Sequence, residues 1–516
     1  MFSDLLPGPL KGLHFAKVDF GQVPMVFDNI VVHPLKDGTI QFDMDVVWDG
    51  LCDIDLKAGA LEFGVQNIKF FGRMQFVMNP LSDILPCIGA IQYAFVSPPT
   101  IDLDFTGLAN VADFAAIDKV IQNVLDDIIA SLLVLPNRMT FKMDPACDYR
   151  KAFVPPIGVA RVTAVSGQGF KVEKRRLLKD DVPDVYLKIK LGDKVWQTSM
   201  QKNNLTPEWN ETADFLLSDN NQVLHVEAWD EDKGMLASDD ELGKTSMTIA
   251  EILLEGKTKE VELLDSENRG TGAFVTLYCD VCRLKADPKA FDSLPPSNHF
   301  GGLLTIIVTK AFNLPLSREE AESSVKVKYG GKEYLTGVVV DVPDCPGWDC
   351  LNPVYDVSFL VPITPEHVKE GLPDVIFELQ NGSNKPSTLG SFAVSHKSLL
   401  AAPENTIKEI RFIGEGGAKL EFHLSLHGIE VVDTGRGPPS KSLVAAESLM
   451  ASTQGGIGHS LVAPDETPEA QTIPQAADEL VKKVKKVYVT IIGGKGFKIT
   501  KKKFGMKDIP DVYCTV

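Results

Sequence analysis

Residues 222–243 read QVLHVEAWDEDKGMLASDDELG, and they set the class of the middle of this chain. The stretch opens as a strand, Gln222–Trp229, and breaks at once into Asp230, Glu231 and Asp232. Asp239 and Asp240 follow, shortly before Leu242-Gly243. Working outward, Gly158–Val165, Val185–Leu191, Ala213–Leu217 and Ala273–Cys282 are further short strands separated by turn residues, as an antiparallel sandwich demands. Pro155-Pro156 marks its start. A second acidic group, Asp180, Asp181 and Asp184, precedes Val185. If the two loops share one end of the sandwich, their carboxylates repel one another unless a hard cation fills the gap. Ca²⁺ takes about six to eight oxygens at such a flexible site. The plain alternative is a solvated acidic loop, common in a chain of net charge −18.

The segments VPDVYLKIKLGD (182–193), LTPEWNETADFLL (205–217) and LHVEAWDEDKGMLASDDELG (224–243) resemble a C2 domain. The resemblance implies calcium ligands at Asp184 in the first loop and at Asp230, Asp232 and Asp240 in the third. Leu178 stands where the first aspartate of loop one belongs, so Asp181 joins the set only after a local shift. Lys174, Arg175, Arg176 and Lys179 lie in the same loop. They either neutralise part of the site, face an anionic leaflet at about 1 kcal/mol each, or simply keep the loop soluble.

Pro295-Pro296 and Gly301-Gly302 open a second sandwich, with strands at Leu303–Thr309, Ser324–Tyr329 and Val354–Leu360. It also resembles a C2 domain, but its chemistry differs. Loop one offers Glu319, Glu320 and Glu322. In the third loop, FELQNGSNKPSTLG (377–390), Asn381, Ser383 and Ser387 replace the aspartates. Neutral amides and hydroxyls are minor Ca²⁺ ligands, so calcium is expected in the first sandwich only. A calcium-independent packing, lipid or protein contact is expected of the second.

The first 144 residues alternate strongly. Ile40, Phe42, Met44, Val46 and Trp48 form one apolar face, Cys52, Ile54 and Leu56 repeat it, and Ile68, Phe70, Met74, Phe76 and Met78 repeat it again. Ile101, Leu103 and Phe105 close the series. A helix follows over Phe114 to Leu135, with Ile117, Val120, Ile121, Val124, Leu125, Ile128, Ile129 and Leu132 at helical spacing and Pro136 as its stop. Such faces make an ordinary α+β core, or they line a groove for a greasy ligand. The runs LHFAKVDFGQVPMVFDNI (13–30), DMDVVWDG (43–50), FFGRMQFVMNPLSDILPCIGAIQYAFVSPPTIDLDFTG (70–107) and VLPNRMTF (134–141) resemble the SMP domain of extended synaptotagmins, tricalbins and plant synaptotagmins. That family implies a tubular lipid-binding fold that carries glycerophospholipid and often dimerises. Phe42, Met44, Val46, Trp48, Phe70, Met74 and Phe76 are then the groove-lining candidates.

The expected architecture is an α+β tubular lipid-binding (SMP-like) domain over 1–145 followed by all-β C2 sandwiches over 155–290 and 298–432. A disordered linker, 433–483, and the truncated start of a further C2 unit, 484–516, complete it. The last expectation rests on a repeat: VKKVKKVYVTIIGGKGFKITKKKFGMKDIPDVYC (481–514) echoes VARVTAVSGQGFKVEKRRLLKDDVPDVYLKI (159–189). The family's upstream membrane anchor and leading helix are absent before Leu13, so the sequence reads as a fragment.

The acidic balance argues against nucleic acid as a partner. Eight cysteines in 516 residues make no disulfide scaffold, and Cys279-x-x-Cys282 lacks a matching pair for zinc. No uninterrupted run of 18 apolar residues is present. No GxSxG, HExxH or Walker motif occurs, and His423 and His427 sit in an alternating strand, so no enzyme is expected. The resemblance implies non-vesicular glycerophospholipid transfer and tethering between the cytosolic face of the endoplasmic reticulum and the plasma membrane. Glycerophospholipids, anionic membrane surfaces and a second copy are the implied partners. A calcium-dependent tether or scaffold without lipid transfer is the alternative.

Overall fold

The computed structural model describes residues 14–430, apart from 35–38, 59–60, 84, 107–113, 173–181, 232–238, 343–348 and 384. The linker and the repeated unit expected beyond residue 432 lie outside the described residues.

The first region is built on one long hairpin. β1 (His14–Asp19) and β2 (Val26–Pro34) both pair with β3 (Ile40–Ala58) along the same edge, one after the other. β4 (Leu61–Met78) pairs with β3, and its far edge carries β5 (Ala90–Phe95) and β6 (Thr100–Thr106), again one after the other. The sheet curls into a tubular half-barrel. Alternation over 40–48 and 52–56 reads as two strands, but β3 is one strand with a register shift between Leu51 and Ile54. Such a bulge bends a strand without ending it. α1 (Phe114–Leu133) crosses the apolar face of the hairpin. Its Ile121, Val124 and Leu125 close a core with Cys52, Ile54, Leu56, Phe63 and Val65. Farther on, Ala130 and Val134 pack on Phe95, Phe70 and Met74. β7 (Met139–Lys142) adds to the edge of β5, and the short α2 (Tyr149–Ala152), capped by Asp148, leads out of the region.

The first sandwich comprises β8 (Gly158–Gln168), β9 (Val185–Leu191), β10 (Lys194–Gln197), β11 (Glu208–Leu217), β12 (Val223–Asp230), β13 (Asp240–Thr248), β14 (Thr258–Leu264) and β15 (Gly270–Lys285). Its core joins alternate residues of the two sheets, Phe215, Leu187, Ile189, Leu224 and Leu277 among them. The second sandwich comprises β16 (Gly302–Phe312), β17 (Glu322–Tyr329), β18 (Lys332–Leu335), β19 (Val339–Val340), β20 (Val354–Ile363), β21 (Val375–Asn381), β22 (Ser387–Val394), β23 (Thr406–Phe412) and β24 (Lys419–Glu430). Phe377, Phe392 and Phe422 cluster at its centre, with ring centroids 4.8–5.3 Å apart.

The sandwiches are joined edge to edge. β15 pairs with β24 over Arg283–Lys285, and Val159, Cys282 and Phe300 fill the junction. Cys279 and Cys282 therefore face opposite sides of β15, one into the sandwich core and one into the junction. That separation rules out shared metal ligation. Burial pushes their thiols up to about 12 and about 11.

The curved sheet is seated on both sandwiches through polar contacts. The Arg138 guanidinium donates to Gln75 Oε1 (2.6 Å), and Gln75 Nε2 donates to Asp219 Oδ2 of the first sandwich (2.7 Å). Burial lowers Arg138 to about 10, opposed by Asp219 and Asp43. Lys142 pairs with Asp356 (2.5 Å), Tyr149 with Ser358 (3.3 Å) and Arg150 with Glu421 (3.5 Å), pinning β7 and the connecting segment to the second sandwich.

Candidate functional site

Residues opposite one another on neighbouring strands share a face. Phe42 lies opposite Phe76, Met44 opposite Met74, Val46 opposite Gly72 and Trp48 opposite Phe70. All seven groove candidates thus fall on one face of β3–β4. They divide along its length. Val46 and Trp48 are buried, and the Trp48 indole donates to the Val23 carbonyl (3.0 Å). Phe70 and Met74 pack under the C-terminal half of α1. Phe42, Met44 and Phe76 are half-exposed, with Phe42 and Phe76 stacked at 5.1 Å. A Cβ on Gly72 would lie 2.9 Å from the Phe95 ring, so only glycine lets that ring cross the face.

The half-exposed trio is part of a wider band. One rung runs Val32–Phe42–Phe76–Tyr93–Met139 across β2, β3, β4, β5 and β7. The next runs Pro34–Ile40–Met78–Ile91–Phe141. Val32 is 52% exposed and Phe141 61%. On the opposite face of the same strands stand Asp43, Gln75 and Gln92, and these are buried, Gln75 at 1% exposure. The usual order is inverted at these positions: Asp43, Gln75 and Gln92 are buried alongside Val77, Ala90 and Ala94, while the described residues of the two apolar rungs on the other face are half-exposed or exposed. A monomeric soluble protein rarely leaves a contiguous apolar patch that large without a partner for it. Among the described residues, the two rungs carry no carboxylate, imidazole or thiol. Tyr93, Ile91, Met139, Phe141 and Val32 are functional candidates that alternation along single strands did not find. Their strands are short, and only the pairing shows that they continue the band.

In the first sandwich, strand pairing sets Asp230 beside both Val185 and Asp240, so Asp184, Asp230 and Asp240 gather at one end. The Asp184 amide donates to Asp230 Oδ1 (2.7 Å), and Asp184 Oδ1 accepts from the Asn203 amide and side chain (2.8 and 3.1 Å). Tyr186 donates to Asp239 Oδ2 (2.6 Å). Asp181 and Asp232 lie outside the described residues. Among the described residues no three acidic, His or Cys groups stand close enough to hold a metal ion. The equivalent end of the second sandwich is tied by protein hydrogen bonds. Ser383 donates twice to Glu322 Oε2 (2.9 and 3.0 Å), Asn381 Nδ2 donates to the Glu320 carbonyl (3.0 Å), and Arg318 reaches Asp341 (3.1 Å) and Asp349 (3.8 Å).

His423 and His427 lie on β24, and burial lowers the pKa of both. Among the described residues no helix is long and apolar enough to cross a membrane.

Comparison with known proteins agrees with this geometry. Residues 8–144 match the family model of the synaptotagmin-like mitochondrial-lipid-binding domain, and residues 158–264 match the C2 domain. The chain is 30% identical over 325 residues to Extended synaptotagmin-2 of Homo sapiens and 29% identical over 325 residues to that of Mus musculus, 60% of this chain in each case. It is 23% identical over 440 residues, 81% of this chain, to Extended synaptotagmin-1 of Mus musculus. These alignments span 35–38% of the relatives' own lengths. A solved structure of Extended-Synaptotagmin 2, comprising its SMP domain and two C2 domains, covers 83% of this chain and 93% of its own, at a TM-score of 0.52 and 23% identity, a likeness of fold. With an SMP-like half-barrel followed by sandwiches of the C2 kind, the chain is similar to the extended synaptotagmins in domain order and in fold.

Proposed function

We propose that the open apolar band holds the acyl chains of a glycerophospholipid, and that the C2 sandwiches hold this carrier against membranes so that lipid passes between two apposed bilayers. One observation carries the reading: the greasy face of the sheet is exposed where its polar face is buried. Each CH₂ removed from water contributes about 0.8 kcal/mol, so an acyl chain is a fitting occupant for Val32, Phe42, Phe76, Tyr93 and Met139. Bond making and breaking are not needed to move a lipid. Membrane-binding modules raise the local concentration of the carrier at its target. Kinship with extended synaptotagmins supports contacts between the endoplasmic reticulum and the plasma membrane as the setting, and a second copy as a partner. A Ca²⁺ ion in the first sandwich would take Asp184, Asp230 and Asp240, completed by Asp181 and Asp232, and would offset their repulsion of anionic lipid.

The decisive experiment is lipid exchange between two liposome populations, with native mass spectrometry of the purified chain. Bound phospholipid and exchange that falls on Phe76→Arg are expected. Liposome clustering without exchange would favour the tether alternative, and an apolar band empty of lipid in a folded protein would overturn the carrier.

A further inference from the structure

The outer face of the β23–β24–β16–β20 sheet is half covered. Lys142 at the end of β7, with Tyr149 and Arg150 of the connecting segment, reach Asp356, Ser358 and Glu421, and the contacts stop there. Toward the end that carries loops one and three, no contact from another described region is recorded on the face. One rung there is Phe412–Lys419–Phe312; the next, Ile410–Glu421–Lys310–Val354, is the boundary, since Arg150 reaches its Glu421. Phe412 is 66% exposed and Ile410 55%. The Lys419 ammonium sits 4.7 Å from the Phe412 ring centroid, and Lys310 lies 5.1 Å from that of Phe312. Among the described residues, neither lysine makes an ion pair with a carboxylate. In a chain of net charge −18, exposed aromatic and aliphatic side chains interleaved with unpaired lysines are a local exception.

We propose that this face of the second sandwich is a calcium-independent docking surface for an anionic lipid bilayer. The chemistry is complementary on both counts. Phe412, Ile410 and Val354 enter the acyl boundary, while Lys310 and Lys419 meet the phosphates. The neighbouring loops need no cation to close, because Ser383, Asn381 and Glu322 already bond one another. The surface also adjoins the curved sheet. Val354 is two residues from Asp356, whose partner Lys142 lies on edge strand β7 between Phe141 and Met143. Docking there brings the edge of the apolar band to the membrane. This placement rests on the carrier reading; the membrane contact itself does not.

The test is cosedimentation of the full chain, in EGTA, with phosphatidylcholine vesicles with and without phosphatidylserine. Binding to the phosphatidylserine vesicles is expected. It should weaken about fivefold for each of Lys310→Glu and Lys419→Glu, weaken in high salt, and weaken for Phe412→Ser and Ile410→Ser. Circular dichroism melting checks that all four variants fold. No vesicle binding in EGTA, or binding unchanged in the folded variants, overturns the proposal. A particle mass that halves on Phe412→Ser while vesicle binding is unchanged also overturns it, and assigns the face to a second copy. Native mass spectrometry on the same samples separates the two readings. Lipid retained in the band with no EGTA-resistant docking sinks only this inference, whereas docking without bound lipid sinks only the carrier.

Discussion

The two sandwiches share a fold, a core chemistry and one backbone-to-side-chain bond between loops one and three, but they set different side chains around it. In the first, Asp184, Asp230 and Asp240 converge, and the Asp184 amide already donates to Asp230. In the second, Asn381 and Ser383 stand in the third loop, the Glu322 amide donates to Asn381 Oδ1 (2.8 Å), and the Glu322 carboxylate accepts from Ser383. On the proposed reading, the same scaffold carries a cation-responsive end in one sandwich and an end closed by neutral side chains in the other. The difference is confined to a few side chains at strand ends, where replacing a carboxylate by an amide removes repulsion without disturbing the strands behind it.

The largest expected effect would break the claim that the cores are alike. Phe377→Ala and Phe215→Ala each remove a fully buried ring, and each should cost about 3–5 kcal/mol. Urea unfolding followed by fluorescence would show whether the two losses match. A second measurement sharpens the contrast at the loops. Saturating Ca²⁺ should raise the melting temperature of the first sandwich, through about 2.7 kcal/mol of linkage at a hundredfold excess over Kd. Asp230→Asn should abolish that rise, and no part of it should come from the second sandwich. The smallest effect concerns Arg318→Gln. Its ion pairs with Asp341 and Asp349 are half-exposed, so the loss should stay below about 1 kcal/mol. A larger loss in calorimetry would mean that the guanidinium organises the whole loop end.

Regular strands were the most legible part of the sequence. Val185–Leu191 has the same limits in sequence and structure, because period-two alternation over seven residues has no competing reading. The helix over 114–135 ends two residues earlier, at Leu133. The bulge in β3 was not legible, since Asp53 and Asp55 preserve alternation straight through it. Nor was the seat between domains. Gln75, Asp43 and Asp219 are polar residues in alternating or turn-rich segments, where solvent is the default partner. Only the fold brings half-buried Arg138 to them. The groove candidates shared a face as expected, yet half of that face is closed by α1. Which half stays open depends on where the helix ends, and alternation within a strand carries no information about that.

The pinned connecting segment has a mechanical consequence. A free linker of a dozen residues would let its two ends wander over a broad spread of separations, roughly 5–6 Å times the square root of its length. Tyr149 and Arg150 remove that freedom by fastening the segment at two points on the second sandwich, and Lys142 at the end of β7 fastens the sheet edge beside them. The half-barrel then behaves as an arm of set length and bearing, with stiffness in place of slack. Its reach is fixed by the ångström spacing of side chains, and loosening those three fastenings would convert a strut into a string.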